Sequence, residues 1–332
     1  MKAVELVAPQ RLRVTARDLP QPGPCEVRIA VSHVGICGTD MEFYGGRRAA
    51  GYPFVLGHEC SGRIDAVGRD MTDWEVGTLV TLRPNFGCGT CAFCLDGRDN
   101  ICPSSRGLGV TIDGCLAEYI VVPARYVWRV PAGMDVETAA LIEPVAVAER
   151  AVQRAGPLAG RSVLILGAGP IGLFALQIAK LAGAEVRVAD PVASRRQWAS
   201  NLGAVCAFDP TTDEMKSERF DVVIETAGVP ETVSVAVDRA RPGGRIVLTG
   251  IPMKAASVET RWVVWRELQM VGSFIYELAD FARACDRVAR GEIRALDLVT
   301  ARFSVDRAAE AFEAAASRDG LKVLIKMREE EC

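Results

Sequence analysis

The sequence predicts an α/β protein of two domains, the first mostly β and the second built on a doubly wound parallel sheet. Three observations predict it. Residues 1 to about 145 carry short alternating apolar runs separated by glycine and proline. From about residue 150, short apolar strands alternate with segments of helix length. Between the first such strand and the first such helix stands a glycine pattern, VLILGAGPIG, at residues 163–172. The chain has 332 residues, enough for two domains of roughly 100–200 residues each.

In the first domain CEVRIAVSHVGIC, GRIDAVG, GTLVTL and AEYIVVPA read as strands joined by turns. In the second, SVLIL, AEVRVAD, AVCAF, DVVIETAG and GRIVLTGI read as strands. GLFALQIAKLAG, SRRQWASNLG and PETVSVAVDRARPG read as the helices between them. That alternation is the pattern of βαβ units. Residues 280–292, DFARACDRVARGE, read as a helix leaving this region. Residues 302–327 then read as strand, helix and strand, which we expect to return to the first domain. The expected boundaries are 1–148, 149–288 and 289–332. There is no internal repeat, and the one biased segment is the acidic tail REEEC.

Hydrophobic residues make up 49% of the chain and charged residues 24%, the balance of a globular protein with a sizeable core. A formal charge of -3 argues against a general nucleic-acid binder, which needs a basic footprint. The N-terminus, MKAVELVAPQRLRV, lacks the apolar core of a signal peptide. VLILGAGPIGLFALQIAKLAGAEV is broken by glycines and a proline and reads as strand, turn and buried helix rather than a membrane span. We therefore expect a cytoplasmic protein with no membrane or nucleic-acid partner, whose thiols stay reduced.

Eleven cysteines are many for such a protein. Four of them, Cys88, Cys91, Cys94 and Cys102, run as C-x2-C-x2-C-x7-C. In a reducing compartment such a cluster points to metal, and cysteines three apart pair only with strain. Glycines 87, 89 and 97 permit the turns that gather four sulfurs around one tetrahedral zinc. An iron–sulfur cluster also uses four thiolates, and incidental thiols are the third alternative; structural zinc is the favoured reading. Four sulfurs would close the shell, so the chemistry is expected elsewhere. The other six cysteines, 25, 60, 115, 206, 285 and 332, read mostly as small buried hydrophobes.

The glycine pattern is G-x-G-x-x-G after a strand and at the opening of a helix, the dinucleotide-binding fingerprint of a Rossmann domain. Gly167 would make the turn, Gly169 would let a pyrophosphate approach the backbone, and Gly172 would let the helix pack closely. Pro170 and Ile171 open the helix, whose N-terminus offers free N–H groups to phosphate. Asp190 ends the next strand, about twenty residues on, where an acid should bind the adenosine ribose. Its carboxylate would repel a 2′-phosphate, which favours NAD over NADP. Arg195, itself a candidate cofactor-binding residue, and Arg196 lie nearby and weaken that preference.

Histidine is scarce, with two in the chain. His58 stands in VLGHECSG beside Glu59, and Cys37 in VGICGTD. A thiolate, an imidazole and a carboxylate are ordinary zinc ligands, and three protein ligands leave a position for substrate. From spacing alone, a His–Glu pair is often no more than a hydrogen-bonded surface pair.

Taken in order, ICGTD, GHECSG, the four-cysteine lobe, IEPVAVA and LGAGPIG resemble the zinc-dependent medium-chain dehydrogenase/reductase superfamily over essentially the whole chain. The details look most like its polyol (sorbitol-type) branch and related threonine dehydrogenases. The resemblance implies a GroES-like catalytic domain, a Rossmann coenzyme domain, two zinc ions per subunit, and NAD as cofactor. It also implies a small-molecule alcohol substrate and a homodimer or homotetramer. By the same resemblance Cys37 and His58 would bind a catalytic zinc, with Glu59 as a third ligand or a nearby carboxylate. Glu143, in IEP, matches the position where polyol-type enzymes use a carboxylate or hold water. Thr39 would be the hydroxyl that receives the substrate proton, and Cys88, Cys91, Cys94 and Cys102 would hold the structural zinc.

The implied reaction oxidises a secondary alcohol of a polyol, cyclitol or sugar-like substrate to a ketone, with the catalytic zinc facing the nicotinamide. A threonine or amino-alcohol dehydrogenase is the alternative within enzymes, and a zinc-lobe binding protein without catalysis is the alternative outside them. Two departures from the family stand out. Glu42 occupies the place of a histidine that relatives often use in a proton relay, and Arg150 replaces a histidine that often follows the Glu-Pro motif. His33 reads as structural, Trp262 and Trp265 as core or subunit contacts, and Phe43 and Tyr44 equally as pocket rim or packing.

Overall fold

The computed structural model describes residues 1–212, 217–317 and 319–328. Two compact units emerge: Met1–Glu143 together with the chain from Cys285 onward, and Pro144–Ala284.

The first unit is rich in β structure. Its main sheet runs in the order Val127–Arg129, Leu79–Leu82, Glu59–Val67, Glu26–Gly35, Lys322–Lys326 and Val299–Ser304, with Tyr119–Pro123 also paired to Glu26–Gly35. Glu26–Gly35 is the hub. Its residues Val27, Ile29, Val31 and Val34 are buried, and β-branched side chains of this kind suit a pleated, half-covered surface. Lys322–Lys326 pairs antiparallel with it, Leu324 opposite Gly35, and parallel with Val299–Ser304. The last strand thereby lies beside one of the first. Smaller sheets are formed by Lys2–Ala8, Arg11–Ala16 and Phe54–Val55, and by Asn85–Phe86 with Arg106–Gly107. Leu6, Ile29, Phe43, Leu56, Leu82 and Phe312 share one core.

In the second unit six parallel strands lie in the order Cys206–Phe208, Glu185–Ala189, Ser162–Leu166, Phe220–Glu225, Ala240–Leu248 and Gln269–Gly272. Val163, Leu164, Ile165, Val188, Ile224 and Val247 are wholly buried, as continuous apolar runs must be in a sheet covered on both faces. Helices Pro170–Leu181, Ala193–Asn201 and Pro230–Arg239 follow the strands in turn. Strand order reverses between Ser162–Leu166 and Phe220–Glu225, the kind of switch point where α/β sheets bind ligands.

The sixth strand was not expected. Gln269–Gly272 is only four residues long and partly exposed, so it carries no apolar run to betray it. The helix Ile142–Ala155 was not expected either. Its Pro144 falls in the first turn, where a missing N–H costs little. Among the described residues no helix is long and apolar enough to cross a membrane.

Candidate functional site

In the first unit Cys37 ends the loop after Glu26–Gly35 and caps the helix Gly38–Tyr44. Asp40, three residues on, returns its carboxylate to the Cys37 N–H at 2.8 Å, a capping box with cysteine in the usual serine position. The other oxygen of Asp40 accepts from the Gly57 N–H at 3.0 Å. One buried carboxylate therefore ties the Cys37 loop to the turn that carries His58. Gly57 makes that turn at φ 93°, in the left-handed region.

Ligand atoms of Cys37, His58 and Glu59 all lie within 4.8 Å of one another. Strand pairing sets Glu59 opposite Gly35. A Cβ on Gly35 would come within 2.2 Å of Glu59 Oε2, so glycine is needed for the carboxylate to lie there. Lys322 Nζ donates to both oxygens of Glu59, at 2.6 and 2.7 Å, and to the Ile36 carbonyl at 3.2 Å. Burial opposes the charge on Lys322 most strongly of any single cause, but Glu59, Cys37 and Glu143 together outweigh it, and its pKa is raised.

This pocket fits a cation. Among the described residues His58 Nδ1 is buried without a hydrogen-bond partner, 3.7 Å from Asp40 Oδ1, and metal-bound histidines commonly have a carboxylate on their second nitrogen. Burial disfavours a charged His58, yet Asp40, Cys37 and Glu143 raise its pKa well above the ordinary value. The field that draws a proton onto His58 is one that a divalent metal would answer. Burial raises the pKa of Asp40. Glu143, in the first turn of Ile142–Ala155, is 5% exposed and close enough for its charge to reach His58. Its carboxylate is not part of the three-residue cluster. Thr39 lies half-buried in the first turn of the helix that Cys37 caps.

The second cluster gathers Cys88, Cys91, Cys94 and Cys102. Sulfur separations of 3.9 Å for Cys88–Cys94 and 3.8 Å for Cys91–Cys102 are far beyond a disulfide bond. Gly89 and Gly97 have φ of 81° and 73°, and a Cβ on Gly87 would reach to 2.8 Å from Cys94 Sγ. The Thr90 N–H and hydroxyl and the Cys91 N–H bring the Cys88 thiol down to about 5. The Gly89 N–H favours a thiolate at Cys94, but burial and the neighbouring thiols push it up to about 12. One thiolate forms easily and opposes the next, which is the donor set that a metal cation resolves.

In the second unit Gly167 turns at φ 102°. A Cβ on Gly172 would lie 1.9 Å from the Gly167 carbonyl, whereas one on Gly169 would meet nothing within 4 Å. The space over Gly169 is room for a ligand against the backbone, and Gly169 caps the helix that opens with Pro170 and Ile171. Asp190, 4% exposed, accepts from the Ala168 N–H and the Val192 N–H, both at 2.8 Å. Its carboxylate is thus held against the glycine loop. Arg196 donates to the Asp190 carbonyl at 2.8 Å and pairs with Asp209 at 3.4 Å, while Arg195 is half-buried.

Sequence reasoning missed Asp40 and Lys322. Asp40 had a signal, the cap spacing from Cys37. Lys322 had none, because its partner is 263 residues away. The remaining residues resolve into structure. Phe43 is buried in the core against Phe54, and Tyr44 stacks on Phe312, so both pack. Glu42 is clasped by both ends of the Arg47 guanidinium. Arg150 binds Glu277 and Asp280, within its own unit. His33 is half-buried in the hub strand, opposite Ser61 and Lys326. Trp262 packs on the sheet core, and Trp265 beside it is 72% exposed. Cys60, Cys115 and Cys285 are buried, Cys206 is half-buried and Cys25 is exposed; Cys332 lies outside the described residues.

Residues 23–132 match the profile of the alcohol dehydrogenase GroES-like domain, and residues 170–290 that of the zinc-binding dehydrogenase family. The chain is 36% identical to 2-dehydro-3-deoxy-L-galactonate 5-dehydrogenase of Pseudoalteromonas atlantica, with 94% of each chain covered. Among solved structures it is similar to a chain assigned as a zinc-binding dehydrogenase from Sinorhizobium meliloti, bound to NADP. That match has TM-score 0.92 and 34% identity over 98% of this chain and 99% of the other. It is also similar to the short chain alcohol dehydrogenase rspB of Escherichia coli with NADH, at TM-score 0.93 and 32% identity over 98% and 99%.

Proposed function

The chain belongs to the zinc-dependent medium-chain dehydrogenase/reductase family, polyol and sugar dehydrogenase branch, and on that premise we propose that it oxidises a secondary alcohol of a polyol, cyclitol or sugar-like substrate to a ketone, with NAD as hydride acceptor. The observation that carries this reading is the convergence of ligand atoms of Cys37, His58 and Glu59 within 4.8 Å of one another, with His58 and Glu59 buried. A polyhydroxy substrate is further supported by the galactonate-type substrate in the name of one relative.

When bound, zinc supplies Lewis acidity that lowers the pKa of a substrate hydroxyl, and NAD supplies the hydride acceptor. Cys37, His58 and Glu59 would hold that zinc, with Glu143 as a further carboxylate at the site. Three protein ligands leave room for substrate. Asp40 fixes the Cys37 loop and lies beside His58, so both donors are held in place before any ligand arrives. Lys322 holds the carboxylate of Glu59 in position. Thr39 takes the proton of the substrate hydroxyl. Cys88, Cys91, Cys94 and Cys102 would hold a second zinc in a closed shell that stabilises the lobe. The Gly167–Gly172 turn and the helix after it bind the pyrophosphate, and Asp190 binds the adenosine ribose. NAD is preferred over NADP because Asp190 would repel a 2′-phosphate and Arg196 is already engaged by Asp190 and Asp209. The subunits assemble as a homodimer or homotetramer.

The test is NADH formation against linear polyols, sugar acids, cyclitols, aminocyclitols, threonine and simple alcohols, with zinc-loaded and chelator-treated enzyme. Zinc-dependent turnover of a polyhydroxy alcohol is expected. Turnover confined to threonine or an amino alcohol would replace the substrate class.

A further inference from the structure

The four-cysteine lobe has little core of its own. No residue of its helix Ala92–Leu95 is buried, and Leu95 is 76% exposed. Its anchorage comes from the main sheet of the same unit. There the turn Ala124–Tyr126 joins the strands Tyr119–Pro123 and Val127–Arg129, and Arg83 follows the strand Leu79–Leu82. The Arg83 N–H donates to the Tyr126 carbonyl at 2.9 Å, so the two stand side by side at the edge of that sheet.

From this edge Arg125 and Tyr126 reach the first end of the lobe, and Arg83 reaches the last. Arg125 Nη2 and Tyr126 Oη both donate to the Gly87 carbonyl at 3.1 Å, one residue before Cys88. Both ends of the Arg83 guanidinium bind the Asp99 carboxylate, each at 3.2 Å. The Asp99 carbonyl in turn accepts from the Cys102 N–H at 3.2 Å. The guanidinium carbons of Arg83 and Arg125 each lie over the Tyr126 ring, 5.0 Å from its centroid, a contact that steadies both side chains. Arg83 has Asp99 for its charge. Among the described residues no carboxylate pairs with Arg125. Its guanidinium stands 3.7 Å from where a Cβ on Gly89 would be, so it packs on the turn between Cys88 and Cys91.

We propose that Arg125 and Tyr126, with Arg83, are positioning residues of the four-cysteine site, holding both ends of the lobe where a metal needs them. The inference rests on the zinc reading of those cysteines above. Arg125 and Tyr126 fix the Gly87 carbonyl, and through the next peptide they fix Cys88. The packing at Gly87 is close. A Cβ there would lie 2.8 Å from Cys94 Sγ and 2.9 Å from the Asp99 Cβ, so a shift at Gly87 is felt by a second cysteine and by the partner of Arg83. Four thiolates around a divalent cation leave an excess of negative charge, and the guanidinium of Arg125, free of any acid, answers it. Side chains that orient ligands in this way govern metal affinity by about 10–100-fold.

The experiment compares Arg125→Met, Arg125→Lys and Tyr126→Phe with the parent. Each protein is loaded with cobalt(II), whose sulfur-to-metal absorption is far stronger for four thiolates than for one and so separates this site from that of Cys37. Competition with a chelator then reads the affinity. Arg125→Met and Tyr126→Phe should each hold cobalt about tenfold more weakly than the parent. Arg125→Lys, which keeps the cation, should retain most of the affinity. In denaturant, Arg125→Met and Tyr126→Phe should lose more stability with metal bound than without it, because the difference is the lost affinity. Equal losses with and without metal, at parent affinity, would make the residues merely structural and overturn the proposal. Arg125→Lys as weak as Arg125→Met would overturn the charge role of Arg125. A parent protein without the four-sulfur absorption would instead remove the zinc reading, and the inference with it.

Discussion

Lys322 grips both carboxylate oxygens of Glu59, at 2.6 and 2.7 Å, with neither side chain more than 3% exposed. The pair joins the strand Lys322–Lys326 to the strand that begins beside His58, and it holds a carboxylate at the edge of the proposed metal pocket. Removing one partner of a buried ion pair strands the other. Lys322→Met should therefore cost about 3–5 kcal/mol in the metal-free protein. The cost should shrink when zinc is bound, since the metal then answers Glu59. Denaturant unfolding of Lys322→Met, Glu59→Gln and the double variant checks this. The double variant should lose less than the sum of the singles, and strict additivity would mean that the two side chains are not coupled.

The four-cysteine lobe should matter to stability before it matters to chemistry. Cys91→Ser removes one of four sulfurs that lie together with no disulfide among them. We expect loss of one zinc per chain and a lower melting temperature, with activity falling only as the fold fails. A parent-like melt with activity abolished would assign the lobe a direct role in turnover.

Asp190→Ala should weaken NAD more than NADP. The substitution removes the acceptor for the ribose diol and also two hydrogen bonds that brace the glycine loop. Losing the ribose contact affects NAD alone, whereas losing the brace affects both cofactors. KM values for the two cofactors separate these effects, and equal losses would remove the basis for NAD preference.

Asp221 links the two strands that flank the switch point. It accepts from the Ser162 N–H at 2.8 Å and hydroxyl at 2.7 Å, and pairs with Arg161 and Arg241. Burial works against its charge, but these partners prevail and hold its pKa below the ordinary carboxylate range. A carboxyl depressed on folding stabilises fully above its unfolded pKa, and that gain disappears as pH falls through the folded value. Asp221→Asn should thus cost about 1–3 kcal/mol at neutral pH, with the gap from the parent closing below about pH 4. Melts at several pH values test it; a gap independent of pH would exclude the charge as its source.

Much of this molecule was legible in its residues, and the reasons differ by region. SVLIL and GRIVLTGI announce buried strands because a parallel sheet covered on both faces needs continuous apolar runs. Gly167 and Gly172 are legible because no other residue fits where they stand, as the 1.9 Å approach at Gly172 makes plain. Cys37, His58 and Glu59 were found as motifs, but only folding brings ligand atoms from two segments within 4.8 Å. Lys322 was hidden because a lysine in LKVLIK looks like any strand-edge charge until the sheet order sets it against Glu59. Gln269–Gly272 was hidden because an edge strand is short and half-exposed. Arg125 and Tyr126 were hidden as Lys322 was, because the Gly87 carbonyl they hold stands 38 and 39 residues away along the chain.

The most direct test of the central claim is zinc content and turnover in Cys37→Ser. The account predicts that zinc falls from two ions per chain to one, that NADH formation is lost, and that NADH still binds. A variant that keeps both zinc ions, or most of its rate, would contradict the assignment of Cys37, His58 and Glu59 as the reactive metal site.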